Sequence, residues 1–173
     1  MKWILLVVGV LAALIALVAV IGAVLPKGHV ATRSAKFRQP PEVIWQALTD
    51  VEAFPSWRPD VRRVERLPDR DGRRAWREVW KNGQVIAMET VELEPPRRLV
   101  GRIADPNLPF GGTWTYELHP AEGGTVLRIT ENGEIYNPIF RFMARFVFGY
   151  HATMEQYLKA LGKKFSEDVH IEG

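Results

Sequence analysis

Residues 137–165 read NPIFRFMARFVFGYHATMEQYLKALGKKF, and this stretch decides the fold. Asn137-Pro138 opens a helix, because proline is tolerated in a first helical turn. Met143, Val147, Tyr150, Met154, Leu158, Leu161 and Phe165 then follow at spacings of three or four, one apolar stripe on a long helix that reaches about Phe165. Phe140, Phe142, Phe146 and Phe148 supply more aromatic surface than one stripe holds, so some of it must be covered by another surface or by a bilayer.

Upstream of that helix the period changes to two. In residues 126–131, Leu127, Ile129 and Glu131 share a face. In residues 113–119, Trp114, Tyr116 and Leu118 point one way and Thr113, Thr115 and Glu117 the other. Residues 99–104, 84–93, 74–81 and 61–67 read as further strands, with Trp76, Glu78 and Trp80 on one face of the third of these. Asn82-Gly83 is a strong hairpin signal between two of them, and Pro95-Pro96, residues 68–72 and residues 122–124 turn the chain elsewhere. Residues 29–38 form a first strand, Pro40-Pro41 opens a short helix carrying Val43, Ile44, Ala47 and Leu48, and residues 51–54 form a second. The order is therefore strand, two short helices, six strands in a meander, long helix. That is an α+β domain: a curved antiparallel sheet of about seven strands needs one face covered, and the amphipathic helix covers it. A sheet curled around one helix tends to leave a cavity between them.

Ahead of this domain, residues 3–25 contain no charged or strongly polar side chain. As a helix the segment measures roughly 34 Å, against about 30 Å for a bilayer's hydrocarbon core. The competing reading is a cleaved signal peptide, but the run exceeds the usual apolar length and ends without a clean small-x-small site. The expected organisation is a transmembrane anchor over residues 1–26, one domain over 27–165, and a polar, frayed tail over 166–173. Lys27, Arg33, Lys36 and Arg38 precede the first acid, Glu42, so the positive-inside rule leans toward a cytoplasmic domain on a single-pass membrane protein.

The chain has no cysteine, which excludes disulfides and thiolate metal sites. Its net charge is a mild +3. Arg58, Arg62, Arg63, Arg66, Arg70, Arg73, Arg74 and Arg77 are interleaved with Asp60, Glu65, Asp69 and Asp71, so much of that charge cancels locally. The segment reads as a solvated hairpin or as a surface facing anionic headgroups. No motif accompanies it that would make it a nucleic-acid site. HExxH and GxSxG are absent, the paired glycines sit in turns, and no metal or cofactor is implied.

Several phrases together resemble the helix-grip fold of the START-like or SRPBCC superfamily. They are PPEVIW at 40–45 with LTD at 48–50, FPSW at 54–57, PDV at 59–61, EPPRRL at 94–99, GTWTY at 112–116 and GGTVL at 123–127. The resemblance covers residues 30–165. It implies a cavity for a hydrophobic ligand between the concave sheet and the long helix, and no particular reaction.

With that layout, the strand phases nominate Trp76, Trp80, Trp114, Tyr116, Ile129 and Glu131 as ligand-contacting, faced by Tyr150 and Met154 from the helix. Phe110, with Leu108 in the loop 105–112, would form a gate or fold over the rim. For each aromatic, core packing is the alternative. Glu131, Glu78 and His151 are the acid–base candidates: a carboxylate on an apolar inward face is costly unless paired, and burial would raise its pKa. The alternative for Glu131 is a strand end that reaches solvent, and for His151 a surface or capping role. Three functions stay open. One is a membrane-anchored domain that binds a hydrophobic small molecule or lipid without catalysis. The second is a polyketide cyclase- or aromatase-like enzyme, and the third a module that binds a membrane-protein partner through the arginine-rich hairpin.

Overall fold

The computed structural model describes residues 2–173. Strand β1 (Gly28–Phe37) is followed by helix α2 (Pro41–Thr49), a 3-10 turn (Val51–Ala53) and helix α3 (Phe54–Trp57). Strands β2 (Val61–Arg70), β3 (Arg73–Trp80), β4 (Val85–Glu94), β5 (Arg98–Ile103), β6 (Phe110–Ala121) and β7 (Gly124–Ile135) then run as an antiparallel meander. β1 closes against β7, with Ala31 opposite Glu131 and Ala35 opposite Leu127. The helix-grip α+β fold is the one the sequence implies, with an eighth strand added: Ile171–Glu172 (β8) pairs with Ser34 and Ala35 on the free edge of β1.

The tail is thus packed, not frayed. The Glu167 carboxylate is buried and accepts from the Arg38 backbone N–H at 2.8 Å and from Gln39 Nε2 at 2.8 Å. Val169 and Ile171 pack on the core. A two-residue apolar alternation is what places them there.

The core lies between the sheet and helix α5 (Ala152–Lys164). Met154, Leu158 and Leu161 are fully buried against Ala31, Ala35 and Phe37 of β1, Leu118 of β6 and Leu127 and Ile129 of β7. The alternation read in β6 and β7 therefore has the correct phase.

The stripe that was expected to run unbroken from Met143 to Phe165 is interrupted. Helix α4 (Pro138–Met143) passes into a π-helical turn (Ala144–Phe148), and Gly149 follows at φ 72°. That left-handed conformation suits glycine and ends the hydrogen-bond ladder, so α5 starts afresh at Ala152. Val147 falls off the buried face and is exposed.

Helix α1 (Lys2–Val24) is long and apolar enough to cross a membrane and is largely exposed. Its C-terminal two turns are the exception. Val18, Ala19, Ile21 and Leu25 are half-covered and Gly22 is buried, because α4 packs there. A Cβ at Gly22 would overlap the Pro138 carbonyl oxygen, so glycine permits the approach.

Candidate functional site

Three polar or open features lie on or beside the concave side of the sheet. The first is a buried ion pair. Arg58, which follows α3, donates from Nη1 to Glu78 Oε1 at 3.2 Å and Oε2 at 3.1 Å, and from Nη2 to Asp60 Oδ2 at 2.7 Å. Glu78 also accepts from Trp76 Nε1 at 3.2 Å and Trp80 Nε1 at 3.0 Å, its two neighbours on the same face of β3. The guanidinium lies 5.2 Å from the Phe54 ring centroid, 5.7 Å from Trp80 and 5.4 Å from Tyr157, an aromatic box around the charge. Burial works against that charge, but Glu78 and Asp60 more than offset it and hold it protonated. With three side-chain donors converging on it, Glu78 has both oxygens occupied. This carboxylate ties Arg58, just past α3, to β3.

The second feature is a cleft of about 620 Å³ between α2 and strands β2 to β5. Trp45, Leu48, Val51, Trp76 and Leu99 form its apolar wall, and Arg66, Arg73 and Arg74 stand with Asp69 and Glu92 at its polar margin. The volume falls within the usual range for small-molecule pockets, about 300–1,000 Å³. Arg74 Nη1 donates to the Thr49 carbonyl at 2.8 Å and so pins the end of α2 over the cleft. Elsewhere three arginines of the arginine-rich hairpin find carboxylates: Arg63 and Arg77 both reach Glu65, and Arg73 reaches Glu89 of β4, which Arg102 of β5 also reaches.

The third feature sits where β1, β7 and the start of α5 meet. Glu131 Oε1 lies 3.7 Å from His29 Nε2, and the His29 ring stacks on Tyr150 with centroids 4.0 Å apart. Burial raises the Glu131 carboxyl above its ordinary range, a hydrogen bond from Trp114 opposing in part. Burial, assisted by His151, lowers the His29 imidazole. His151 Nδ1 is buried without a hydrogen-bond partner.

These directions fix a pH signature. A carboxyl raised in the folded state favours folding below its unfolded value and loses that contribution as pH climbs through the folded value. Glu131→Gln is therefore expected to be more stable than the parent at pH 7–8, with the gain shrinking as pH falls toward 4.5, the ordinary glutamate value. Thermal melts across pH check this, and a pH-independent difference would contradict it.

Of the residues nominated from sequence, Trp76 lines the cleft. Trp114, Tyr116, Ile129 and Met154 pack into the core beside Tyr157, and burial pushes both the Tyr116 and the Tyr157 phenol upward. Trp80 belongs to the ion-pair box, and Tyr150, Glu131 and His151 gather at the third feature. Phe110, expected in a gating loop, opens β6 opposite Ile135 and is half-buried. Sequence reading missed Arg58 as the partner of Glu78, Trp45 as a cleft wall, and Tyr157. Tyr157 lies three residues after Met154, so the helical period already marks it. Among the described residues no three His, Asp or Glu side chains gather as metal ligands.

The family model described as polyketide cyclase / dehydrase and lipid transport matches residues 29–165. The chain belongs to that family. Solved structures share the fold. A START superfamily protein from Mycobacterium smegmatis has TM-score 0.63 at 19% identity, covering 79% of this chain and 96% of that one. The Zhui aromatase/cyclase from Streptomyces sp. R1128 has TM-score 0.63 at 14% identity, covering 79% and 93%. A protein from Mesorhizobium loti has TM-score 0.59 at 21% identity, covering 80% and 96%. Comparison with the curated proteins gave no match. For this family member the matched segment includes every residue of the cleft and of both polar clusters.

Proposed function

We propose that this family member is a membrane-anchored module that binds a hydrophobic or amphipathic small molecule, without catalysing its conversion. The observation that carries the reading is the cleft beneath α2, apolar on its wall and arginine-bearing at its margin. Apolar burial at about 25 cal/mol per Å² drives a tail onto Trp45, Leu48, Trp76 and Leu99. The arginines suit an anionic or polar head. The family description, which includes lipid transport, supports the same class of ligand. The apolar helix α1 keeps the domain at the membrane, where such ligands dissolve.

Two arrangements weigh against catalysis at this cleft. Glu78 is locked by Arg58, Trp76 and Trp80. Glu131, His29 and His151, the cluster beside β7, do not line it, and of the two carboxylates at its margin Glu92 is paired with Arg98.

Thr90 lines the cleft and is half-buried. Thr90→Trp is expected to fill the space. A fluorescent fatty-acid analogue titrated into the full chain in detergent should bind saturably. The variant should lose about tenfold or more in affinity, roughly 1.4 kcal/mol, with its melting temperature retained. Saturable binding that Thr90→Trp leaves unchanged would move the ligand out of this cleft.

A further inference from the structure

We propose that α4 and the π-helical turn form a wedge inserted into the bilayer beside the anchor, which fixes the domain's orientation on the membrane. The inference rests on α1 being a membrane span. If α1 spans the membrane, whatever packs along its last two turns lies in the membrane too, and α4 is the element packed there. The covered positions run from Val18 to Leu25, seven residue rises or about 10 Å along the helix. With Leu25 at the hydrocarbon boundary, α4 reaches about 10 Å into one leaflet. That matches the depth of about 5–10 Å at which interfacial amphipathic helices lie.

The surface of the segment agrees. Phe146 is 59% exposed and Phe148 68%, with Phe140, Val147 and Ile139 also exposed on the same short stretch. In water this would be an exposed apolar surface on the segment that continues directly from α4, the helix packed on α1. Arg145 is the charged residue amid it and is exposed, so its long stem can carry the guanidinium to the headgroups.

Two contacts hold wedge and anchor together. One is the Gly22–Pro138 approach. The other is Arg141, buried, whose Nη1 donates at 2.7 Å to the Leu25 carbonyl just past the end of α1. A cation at a helix C-terminus is favourable, more so where water is scarce.

The chain lacks cysteine, so single cysteines carry an environment-sensitive nitrobenzoxadiazole label without background. Phe146→Cys and Phe148→Cys are labelled in the full chain reconstituted into phosphatidylcholine–phosphatidylglycerol vesicles. Ile15→Cys reports the anchor, and Glu122→Cys reports the β6–β7 turn, twelve strand residues away from the Phe110 end of β6. Labels at 15, 146 and 148 should emit to the blue and be quenched by doxyl-labelled lipid, with 146 and 148 most sensitive to a quencher near the headgroup. The label at 122 should respond to aqueous iodide alone. A lipid-quenched label at 15 with water-exposed labels at 146 and 148 overturns the wedge while the anchor stands. Blue emission at 146 and 148 without lipid quenching overturns it in favour of a protein contact. A water-exposed label at 15 removes the anchor and the wedge together. Gly22→Leu, which forces α1 and α4 apart, is expected to reduce lipid quenching at 146 and leave it unchanged at 15.

Discussion

Glu78→Ala is expected to destabilise the domain by about 3–5 kcal/mol, the cost of leaving one partner of a buried ion pair uncompensated. Arg58 is 8% exposed and Glu78 5%, so water does not replace the lost carboxylate. Asp60 holds only Nη2 of the guanidinium, and Trp76 and Trp80 lose their acceptor at the same time. Glu78→Gln should cost nearly as much, because an amide nitrogen would then face converging donors. Replacing both partners, Arg58→Met with Glu78→Met, removes the unpaired charge and should recover much of the loss, so the two single effects do not add. Thermal and urea melts in detergent of the parent, Arg58→Met, Glu78→Met and the double variant give the cycle. Additive single effects would mean that the pair contributes no coupling and that the box of Phe54, Trp80 and Tyr157 alone holds Arg58.

Trp76→Ala should cost a similar amount, about 3–5 kcal/mol, the usual range for removing a large buried aromatic. Trp76 is buried between Val51, Phe54 and Val61 in a small core of its own and presents its other side to the cleft. The same substitution should also weaken fatty-acid-analogue binding, because it strips the cleft wall. Trp76→Phe separates the two roles. It loses the N–H donated to Glu78, a hydrogen bond to a charged group worth about 1.5–3 kcal/mol, yet keeps an aromatic wall. Stability should fall while affinity holds within a few-fold. Affinity that collapses with Phe and stability that survives Ala would both contradict this placement of the ring.

Period and punctuation made much of this fold legible. Trp114, Tyr116 and Leu118 alternate cleanly with threonines and a glutamate, so the sequence alone places them on one face with Leu127 and Ile129. The break at Gly149 was harder, because Val147 to Tyr150 keeps helical spacing across it and the stripe passes over the glycine unmarked. The C-terminal strand was hidden by its length: Val169 and Ile171 are two apolar residues among acids. Long-range partners are a different matter. Alternation put Glu78 on one face with Trp76 and Trp80 without fixing which way that face points, and nothing in local sequence pairs it with Arg58, twenty residues earlier and beyond a loop. The cleft is less visible still, since α2 and β2 to β5 meet there only through the curl of the sheet. Phe140, Phe146 and Phe148 signalled a need for cover; they stay exposed in the structure, and the bilayer wedge proposed above would supply that cover.

The most direct test of ligand binding is native mass spectrometry of the full chain extracted from membranes in mild detergent, with organic extraction of whatever accompanies it. A stoichiometric apolar or amphipathic adduct, present on the parent chain and missing from Thr90→Trp, is the predicted result. A folded chain that carries no adduct and stays silent to fatty-acid and other apolar probes would contradict the account.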